Sequence, residues 1–326
     1  MKSNVRKVIL NAFREANGEY ISGEKLANKI GCSRTAVWKH IEELKKEGFQ
    51  VEAVRKKGYL LIDHSKKLSA DEIYLGLHTE EIGRSVYFYE TVPSTQKLAK
   101  ELALNGANHG TLIVADEQTE GRGRLVRNWY SPKGTGLWMS LIIRPEIAIQ
   151  QAPQLTLLTA VAVVEAIKDV AGIQPEIKWP NDILISGKKV CGILTELQAE
   201  ESHIQSLIIG IGINVNQKQE DFPSELQTIA TSLKIEADKL IDRTKLLQCF
   251  CYRFEKLLNT YIDNGFLPIK QLWEGYSCSI GREITARTLN GNYHGIALGI
   301  NEDGVLLLKQ QSGEIREIYS ADIEIT

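Results

Sequence analysis

The stretch LIVADEQTEGRGRLVR, residues 112–127, passes from an apolar segment into a loop rich in glycine and arginine. The apolar run 112–115 is typical of a buried strand. Glycines in the following loop allow backbone amides to approach an anion closely, and arginines add forked donors for phosphate or carboxylate. The loop residues in question are Gly121, Arg122, Gly123, Arg124 and Arg127. The pattern indicates an anion-binding loop, although a solvated surface loop can have the same composition.

Strand and helix patterns alternate on both sides of this loop. Strands are predicted at 86–89, 112–115, 137–143, 183–185, 189–197 and 206–215, and helices at 69–77, 94–104 and 153–170. The turn Ser186-Gly187 predicts a hairpin between the two strands beside it. We therefore expect a central α+β domain in which helices pack against a mostly antiparallel sheet.

The last part of the chain changes from a helical pattern to short strands. Residues 244–262 carry a wide apolar stripe at helical spacing, which is typical of a core helix. Short strands separated by glycine turns follow at 283–286, 293–300, 305–308 and 314–319. They predict a small C-terminal β-barrel. The expected domains of this α+β multidomain chain are 1–65, 66–276 and 277–326.

The N-terminal part of the chain predicts a helix-turn-helix followed by a hairpin. Apolar spacing indicates a helix over 24–30, Gly31 ends it, and Ser33 is a good N-cap for a second helix. Strand-like segments 49–54 and 58–62 flank a tip of three basic residues, which is the layout of a winged helix. The predicted DNA contacts come from the second helix and the basic tip: Ser33, Arg34, Thr35, Trp38, Lys39, Arg55, Lys56 and Lys57.

Charge is distributed unevenly along the chain. Residues 1–65 contain 13 Lys and Arg against 8 Asp and Glu, whereas the remainder contains 26 against 33, and the whole chain has a formal charge of −2. A basic module joined to an acidic body places polyanion binding at the front of the chain. Winged helices also serve as protein-interaction modules, and that alternative stays open.

Composition excludes several classes of protein. The first 14 residues lack the apolar core of a signal peptide, and the most apolar run, 155–164, is too short to span a bilayer. The five cysteines and six histidines show no metal-ligand spacing, so no protein metal site is expected. Neither a Walker motif nor a dinucleotide-binding glycine motif is present. We therefore expect a cytoplasmic protein without a membrane segment, whose phosphate contacts come from the arginine loop.

A second unusual string is Lys178-Trp179-Pro180-Asn181-Asp182, which precedes Lys189 at the start of an apolar strand. Pro180 favours an extended or turning backbone around it, and Asn and Asp are ordinary turn residues. Trp179 is more often a core residue than a ligand contact. Burying the ammonium group of Lys189 without a partner is costly, so we expect it to meet a carboxylate or a phosphate.

These motifs together resemble the bifunctional bacterial biotin–protein ligase and biotin-operon repressor family over nearly the whole chain. The matching motifs, in order, are Ser94-Thr95, Gln118 with Gly121-Arg122-Gly123-Arg124, Lys178–Asp182, Lys189 with Gly192, and Gly210-Ile-Gly-Ile-Asn214. The N-terminal winged helix is what the repressor subgroup adds. The resemblance also implies an SH3-like form for the C-terminal barrel.

An enzyme of this family joins biotin to ATP, with Mg²⁺, giving biotinyl-5′-AMP and pyrophosphate, and then passes biotin to a lysine of the biotin carboxyl carrier protein. The resemblance further implies that the adenylate-bound protein forms a homodimer and represses biotin-synthesis genes at operator DNA. On the biotin side it implies Ser94, Thr95, Gln118, Arg122, Gly123, Arg124 and Lys189. On the nucleotide side it implies Trp129, Asn181, Asp182 and Asn214. The ligand-binding set is completed by Gly121, Gly192 and Gly210.

The catalytic groups implied by the resemblance are three cations and one carboxylate. Adenylation brings a carboxylate onto a phosphate, so Arg122, Arg124 and Lys189 would offset the repulsion between two anions. Asp182 is either the base that accepts the proton of the attacking carrier lysine or a ligand of the metal ion.

One position departs from the family pattern, which usually reads Gly-Arg-Gly-Arg-x-Gly-Arg in the loop. Val126 stands where the third glycine is usual. A β-branched residue strongly disfavours positive φ, so we expect this loop to close differently.

Two rival functions remain at the level of the sequence. Lipoyl and octanoyl transferases share the general catalytic fold, and Cys191 is the only cysteine near the motifs that would serve as their nucleophile. A regulator that senses a small ligand and binds DNA without catalysis is the other rival.

Overall fold

Residues 1–78 and 79–326 form two separate units in the computed structural model of the protein. The first unit has its own apolar cluster, which includes Ile9, Leu26 and Ile41. The residues that the structure describes are 2–16, 18–63, 67–200 and 203–325.

The first unit is a helix-turn-helix with a two-stranded wing. Its elements are α1 (Lys2–Ala16), α2 (Gly23–Ile30), α3 (Arg34–Lys46), β1 (Gln50–Val54), β2 (Gly58–Asp63) and α4 (Ala70–Leu75). Gly31 ends α2 at φ 71°, a left-handed conformation that glycine adopts easily. Ser33 caps α3, because its hydroxyl accepts a hydrogen bond from the backbone N–H of Ala36 at 3.2 Å. The predicted helix-turn-helix is confirmed.

Gly58 lets the wing lie close to the chain that precedes α2. It has φ 110°, and a Cβ at this position would lie 2.0 Å from the carbonyl oxygen of Ile21. Ile21 and Tyr59 exchange two backbone hydrogen bonds of 2.8 Å. Glycine is therefore required here, and the wing is attached to the rest of the unit at its base.

The helix α4 packs within the first unit, against α1. The side chain of Asn11 donates to the hydroxyl of Tyr74 at 2.9 Å, and Arg14 donates to the carbonyl of Leu77 at 3.2 Å. The sequence predicted this helix at 69–77 but assigned it to the central domain. Helical spacing identifies an apolar face and does not identify the surface that covers it.

The second unit is built on a seven-stranded sheet. Its helices are α5 (Thr95–Leu104), α6 (Ala152–Ala171), α7 (Leu233–Ala237), α8 (Arg243–Asn264) and α9 (Leu267–Tyr276). The strands of the sheet are β3 (Val86–Val92), β4 (Thr111–Gln118), β5 (Gly136–Ile143), β6 (Glu176–Lys178), β7 (Asp182–Ile185), β8 (Lys188–Glu200) and β9 (His203–Asn214). Their order is β3-β4-β5-β9-β8-β7-β6, and β3 with β4 is the parallel pair of an otherwise antiparallel sheet. The predicted α+β layer with a mostly antiparallel sheet is confirmed.

Different helices cover the two faces of this sheet. Ala99 and Ala103 of α5 pack on isoleucines of β4, β5 and β9. The helix α6 covers the other face, where the hydroxyl of Thr156 donates to that of Thr195 in β8 at 2.7 Å. Successive side chains of a strand point to opposite faces, so Leu194 faces the α5 side. The predicted motifs meet on this side.

The most apolar run of the sequence lies inside α6. Every residue of 155–164 except Thr156 is buried, so the run is part of the core. No helix in the described part of the chain is long and apolar enough to cross a membrane.

The C-terminal part of the second unit is a five-stranded antiparallel sheet. Its strands are β10 (Glu283–Thr288), β11 (Gly291–Ile300), β12 (Leu306–Lys309), β13 (Ile315–Ile318) and β14 (Asp322–Ile325). Their order is β13-β12-β11-β10-β14, and the end strands β13 and β14 do not pair with each other within the described residues 283–325. The predicted β domain is confirmed as an antiparallel sheet. The sequence analysis did not predict its last strand.

Candidate functional site

A cavity of about 530 Å³ opens on the α5 side of the large sheet. This volume lies within the usual range for small-molecule sites. The cavity is lined by almost all the predicted site residues, namely Ser94, Thr95, Gln118, Arg122, Gly123, Arg124, Trp129, Asn181, Asp182, Lys189, Gly192, Gly210 and Asn214. Gly121 belongs to the same loop and does not line the cavity. Motifs separated by up to 120 residues in the sequence are therefore brought together.

A chain of hydrogen bonds forms one wall of the cavity. Gln118 Oε1 accepts from the backbone N–H of Thr95 at 2.9 Å and from its hydroxyl at 3.0 Å. The hydroxyls of Thr95 and Ser140 lie 2.9 Å apart, and Ser140 donates to Gln96 Oε1 at 3.0 Å. Gln96 in turn donates to the carbonyl of Ile208 at 3.0 Å. Since Thr95, Gln96 and Ser140 are buried, this wall is fixed before any ligand arrives.

Gly210 makes room for this network. A Cβ at Gly210 would lie 2.6 Å from Gln96 Oε1. The glycine at this position therefore makes room for the side chain of Gln96. Gln96 and Ser140 were not predicted as site residues, because neither belongs to a recognisable motif.

Trp129 lies against two glycines that face each other across β8 and β9. Gly192 and Gly212 are paired in register. A Cβ at Gly212 would lie 2.3 Å from the indole nitrogen of Trp129, and one at Gly192 would lie 3.0 Å from its ring. The indole N–H is buried and has no hydrogen-bond partner in the described part of the chain. The glycines therefore leave a space that the flat ring fills.

Lys189 has both an anionic and an aromatic neighbour. Its Nζ lies 2.7 Å from Asp182 Oδ1 and 5.2 Å from the centroid of the Trp129 ring. The carboxylate predicted as a partner of this lysine is therefore Asp182. A cation held in this way is fixed in one position.

The arginine loop closes as a short hairpin. Trp129 N–H donates to the carbonyl of Gly121 at 2.8 Å, and Gly123 N–H donates to that of Arg127 at 2.7 Å. A Cβ at Gly121 would lie 2.4 Å from the Trp129 carbonyl oxygen. The left-handed residue of the loop is Leu125, at φ 54°.

Two arginines of the loop differ in their surroundings. Arg124 donates from Nη1 to Asn181 Oδ1 at 3.0 Å and from Nη2 to Ser320 Oγ at 2.7 Å. Its partial burial lowers the pKa of the guanidinium, which is still charged at neutral pH. Arg122 is exposed and has no side-chain partner among the described residues. The site thus contains one fixed guanidinium and one that is free to meet an anion.

A segment beyond β9 borders the cavity and was missed by the sequence analysis. The cavity-lining residues of this segment are Phe222, Leu226, Thr228, Ile229 and Ala230. Lys189 N–H donates to the carbonyl of Ile229 at 2.8 Å, and Thr231 N–H donates to that of Lys189 at 3.0 Å. No motif marks these residues, and the contact joins positions about 40 apart in the chain.

The predicted DNA contacts are all exposed on the surface of the first unit. Ser33, Arg34, Thr35, Trp38 and Lys39 are exposed at the start and along one side of α3, and Arg55, Lys56 and Lys57 are exposed at the wing tip. Arg34 forms an ion pair with Glu24, and Lys57 Nζ lies 5.5 Å from the centroid of the Tyr20 ring. Lys39 and Lys56 have no side-chain partner in the described residues. This surface is suited to the phosphates and base edges of a major groove.

Sequence and structure comparisons identify relatives over the whole chain. Models of the biotin/lipoate A/B protein ligase family, an HTH domain and the biotin protein ligase C terminal domain match residues 88–214, 5–60 and 279–325. The bifunctional ligase/repressor BirA of Bacillus subtilis is 58% identical, with 100% of both chains covered. The protein of the same name from Escherichia coli is 30% identical over 100% of this chain and 98% of its own. The chain belongs to the bifunctional biotin ligase/repressor family.

A solved structure of a biotin ligase supports the same assignment. Biotin protein ligase from Aquifex aeolicus in complex with biotin and ATP aligns with a TM-score of 0.65 at 33% identity, covering 74% of this chain and 99% of that chain. The predicted resemblance is confirmed, and the protein is a biotin protein ligase that also carries a DNA-binding repressor module.

The rival based on a cysteine nucleophile is not supported. Cys191 is fully buried, and burial raises the pKa of its thiol. A buried neutral thiol is a poor nucleophile. Membership in the biotin ligase/repressor family explains the surrounding motifs, and this explanation requires no cysteine nucleophile.

Proposed function

We propose that the cavity binds biotin and ATP together and catalyses both steps of biotin transfer. The observation that carries this proposal is the convergence of Arg122, Arg124 and Lys189 beside a buried wall of hydrogen-bonding groups. In the first step a carboxylate oxygen of biotin attacks the α-phosphorus of ATP, and the bond to pyrophosphate breaks. The cations offset the repulsion between the two anions and stabilise the charge of the transition state.

The residues of the wall orient biotin. The buried network around Thr95 and Gln118 presents fixed polar groups on the biotin side, and positioning of this kind supplies much of the rate in reactions without an enzyme-bound intermediate. Trp129, Asn181, Asp182 and Asn214 form the nucleotide side. The segment around Phe222 and Ile229 lies at the same cavity and excludes water from the reactive anhydride.

A magnesium ion fits this site as a companion of the ATP phosphates. The described residues contain no cluster of three potential metal-ligating side chains, and Mg²⁺ commonly binds through one or two carboxylates plus substrate phosphates. Asp182 is the carboxylate on the nucleotide side that would contact it. When bound, the ion offsets phosphate charge.

In the second step the neutral amine of the carrier lysine attacks the acyl carbon of biotinyl-5′-AMP. The acyl C–O bond breaks, AMP leaves with the electron pair, and the amine loses a proton. Asp182, whose Oδ1 lies 2.7 Å from Lys189 Nζ, would either accept that proton or contact the magnesium ion. The acceptor protein is the biotin carboxyl carrier protein.

The same ligand controls repression in this proposal. Biotinyl-5′-AMP stabilises a homodimer that binds operator DNA through α3 and the wing. The strand β8 supports a dimer, because β7 pairs with it only as far as Gly192 and the far edge of residues 194–198 has no strand partner in the described chain. An open strand edge of this kind pairs readily with a second copy.

Domain limits, barrel closure and cellular location belong to the same proposal. We assign DNA binding to 1–65 and an SH3-like barrel to 277–326. Ligation is assigned to the remainder, 66–276, of which α4 packs within the first unit. The five cysteines are free, as expected in the reducing cytoplasm. The cytoplasm is also the compartment in which the protein would encounter biotin, ATP and DNA.

Calorimetry with biotin and a pyrophosphate-release assay test the proposal. Uptake of biotin, followed by release of pyrophosphate when ATP is added, is expected, and mass spectrometry of the protein should detect biotinyl-5′-AMP. Biotin uptake without pyrophosphate release would favour a ligand-sensing regulator. The absence of biotin uptake with or without ATP would refute the proposal.

A further inference from the structure

The C-terminal part of the second unit contacts the catalytic part at two points. At the first, away from the cavity lining, the indole N–H of Trp179 donates to the carbonyl of Gly304 at 3.2 Å. At the second, Ser320 and Asp322 lie against the arginine loop, and Asp322 lines the cavity. The sequence motifs assign none of these C-terminal residues to the site. We call Ser320 and Asp322 the C-terminal anchor.

The anchor holds two arginines of the loop. Arg127 forms an ion pair with Asp322, and Arg124 Nη2 donates to Ser320 Oγ at 2.7 Å. The other arm of Arg124 donates to Asn181, whose Nδ2 donates to the carbonyl of Ile193 at 2.7 Å. The guanidinium of Arg124 is therefore fixed between the anchor on one side and strand β8 on the other.

The loop has few other contacts that hold it in place. Leu125 is 62% exposed and Arg122 is exposed without a side-chain partner among the described residues. A segment with little buried apolar surface opens at low cost unless it is held from outside. Arg124 is the first residue of the 3₁₀ turn of the loop and Arg127 directly follows it, so the anchor holds both ends of that turn.

We propose that Ser320 and Asp322 are positioning residues that hold the arginine loop over the cavity in its ligand-binding geometry. The inference rests on the proposed function, in which this loop binds the biotin carboxylate and the phosphates. The side chains of Arg127 and Asp322 are 66% and 38% exposed, so the ion pair is weak and sensitive to salt. A weak pair of this kind lets the loop open for substrate entry and close again.

Asp322→Asn and Arg127→Gln test the ion pair, and Glu324→Gln is the matched control. Glu324 lies on the same strand and pairs with Arg287 in a comparably exposed ion pair outside the site. Each test variant should raise the KM for biotin in adenylate formation by about threefold with little loss of kcat. The KM of the double variant should be no higher than that of either single variant, because the two substitutions remove the same ion pair. Glu324→Gln should leave KM unchanged.

Salt and charge reversal separate positioning from a loss of folding. The ratio of the Asp322→Asn KM to the wild-type KM should fall towards one as NaCl is raised to about 1 M. The reversed pair Arg127→Asp with Asp322→Arg should restore KM to within about twofold of wild type. An unchanged KM for Asp322→Asn at low salt, or additive effects in the double variant, would overturn the inference.

The proposed function is tested separately by the wild-type protein. If wild type takes up no biotin in calorimetry, the proposed function fails, and the anchor has no role in binding. If wild type binds biotin and Asp322→Asn binds it equally well, the anchor alone is refuted.

Discussion

The catalytic cavity and the winged helix both present cations to phosphate, but they hold these cations differently. In the cavity, Lys189 is paired with Asp182, and Arg124 is held by Asn181 and Ser320. On the winged helix, Lys39 and Lys56 are exposed and have no side-chain partners among the described residues. The cavity therefore fixes the positions of its charges, whereas most cations of the DNA surface are exposed without an ion-pair partner among the described residues.

The difference follows from what each region does with the charge. Stabilising a transition state requires hydrogen-bond donors and charges that already occupy their final positions. If these groups had to move during the reaction, the barrier would be higher and the rate lower. Attraction to the DNA backbone comes largely from release of counterions, and it tolerates flexible lysines. The comparison predicts large, geometry-dependent effects in the cavity and small, salt-dependent effects on the winged helix.

The largest effect is expected for Lys189→Ala. The variant loses a fixed cation at the site of charge development, so kcat for adenylate formation should fall by about 100- to 1,000-fold. Pyrophosphate release with biotin and ATP measures this effect. Operator binding at high protein concentration should persist.

Lys188→Ala is the matched control for that experiment. Lys188 is adjacent in the sequence and does not line the cavity. The Lys188→Ala variant should retain nearly full activity in adenylate formation. Normal adenylation by Lys189→Ala would contradict the contrast between the two regions, because a precisely held cation would then be dispensable.

A smaller effect is expected when the buried wall of the cavity is altered by Ser140→Ala. The change leaves the buried Gln96 Oε1 without its hydroxyl donor. The free energy of unfolding should fall by about 1 to 3 kcal/mol. Urea denaturation measures this loss, and Ser312→Ala in an exposed turn is the control that should change it little. Equal effects of the two variants would show that the wall is not fixed as described.

On the winged helix, Lys56→Gln should weaken operator binding only a few-fold. The loss of one phosphate contact should lower the slope of log K against log salt by about 1. Titrations of operator DNA at several salt concentrations measure both quantities. Lys239→Gln, an equal charge change on an exposed surface of the second unit, should alter neither. If Lys56→Gln lowered the affinity for operator DNA by 100-fold or more, Lys56 would have to be held as rigidly as the cations of the cavity.

The smallest effect is expected for Glu24→Gln. Arg34 is the predicted DNA contact that is already paired, with Glu24, and releasing it should raise DNA affinity by about twofold at low salt. Competition binding at two salt concentrations measures the change, which should disappear at the higher one. A decrease in affinity would indicate that the pair orients Arg34 instead of occupying it.

Local signals predicted the secondary structure around the site with good accuracy. The cap at Ser33, the glycine after α2 and the turn at Ser186 each depend on the backbone preferences of a few neighbouring residues. The predicted segments 137–143 and 153–170 agree with β5 and α6 to within one residue at each end. The helices α7 and α9 and the strands β6 and β14 were missed. The elements α7 and β6 are only 5 and 3 residues long, α9 has a short apolar face, and no turn motif follows β14.

The candidate site was predicted in part. The family resemblance that the motifs carry identified Arg124, Asn181 and Lys189, and these residues line one cavity. Gln96 and Ser140 were missed, because a lone glutamine or serine in an apolar segment gives no signal until its partners are known. The segment bordering the cavity near Ile229 was missed for the same reason.

The sequence alone determined which chemical groups this protein has and where most of its longer helices and strands begin, because capping, turn preference and apolar periodicity act over a few residues. Only the tertiary structure decided which groups meet. Gln96 reaches Ser140 because Gly210 leaves room for it, and Arg124 reaches Ser320 across 196 residues of chain. Such contacts depend on sheet register and packing of the whole unit, which no local pattern encodes.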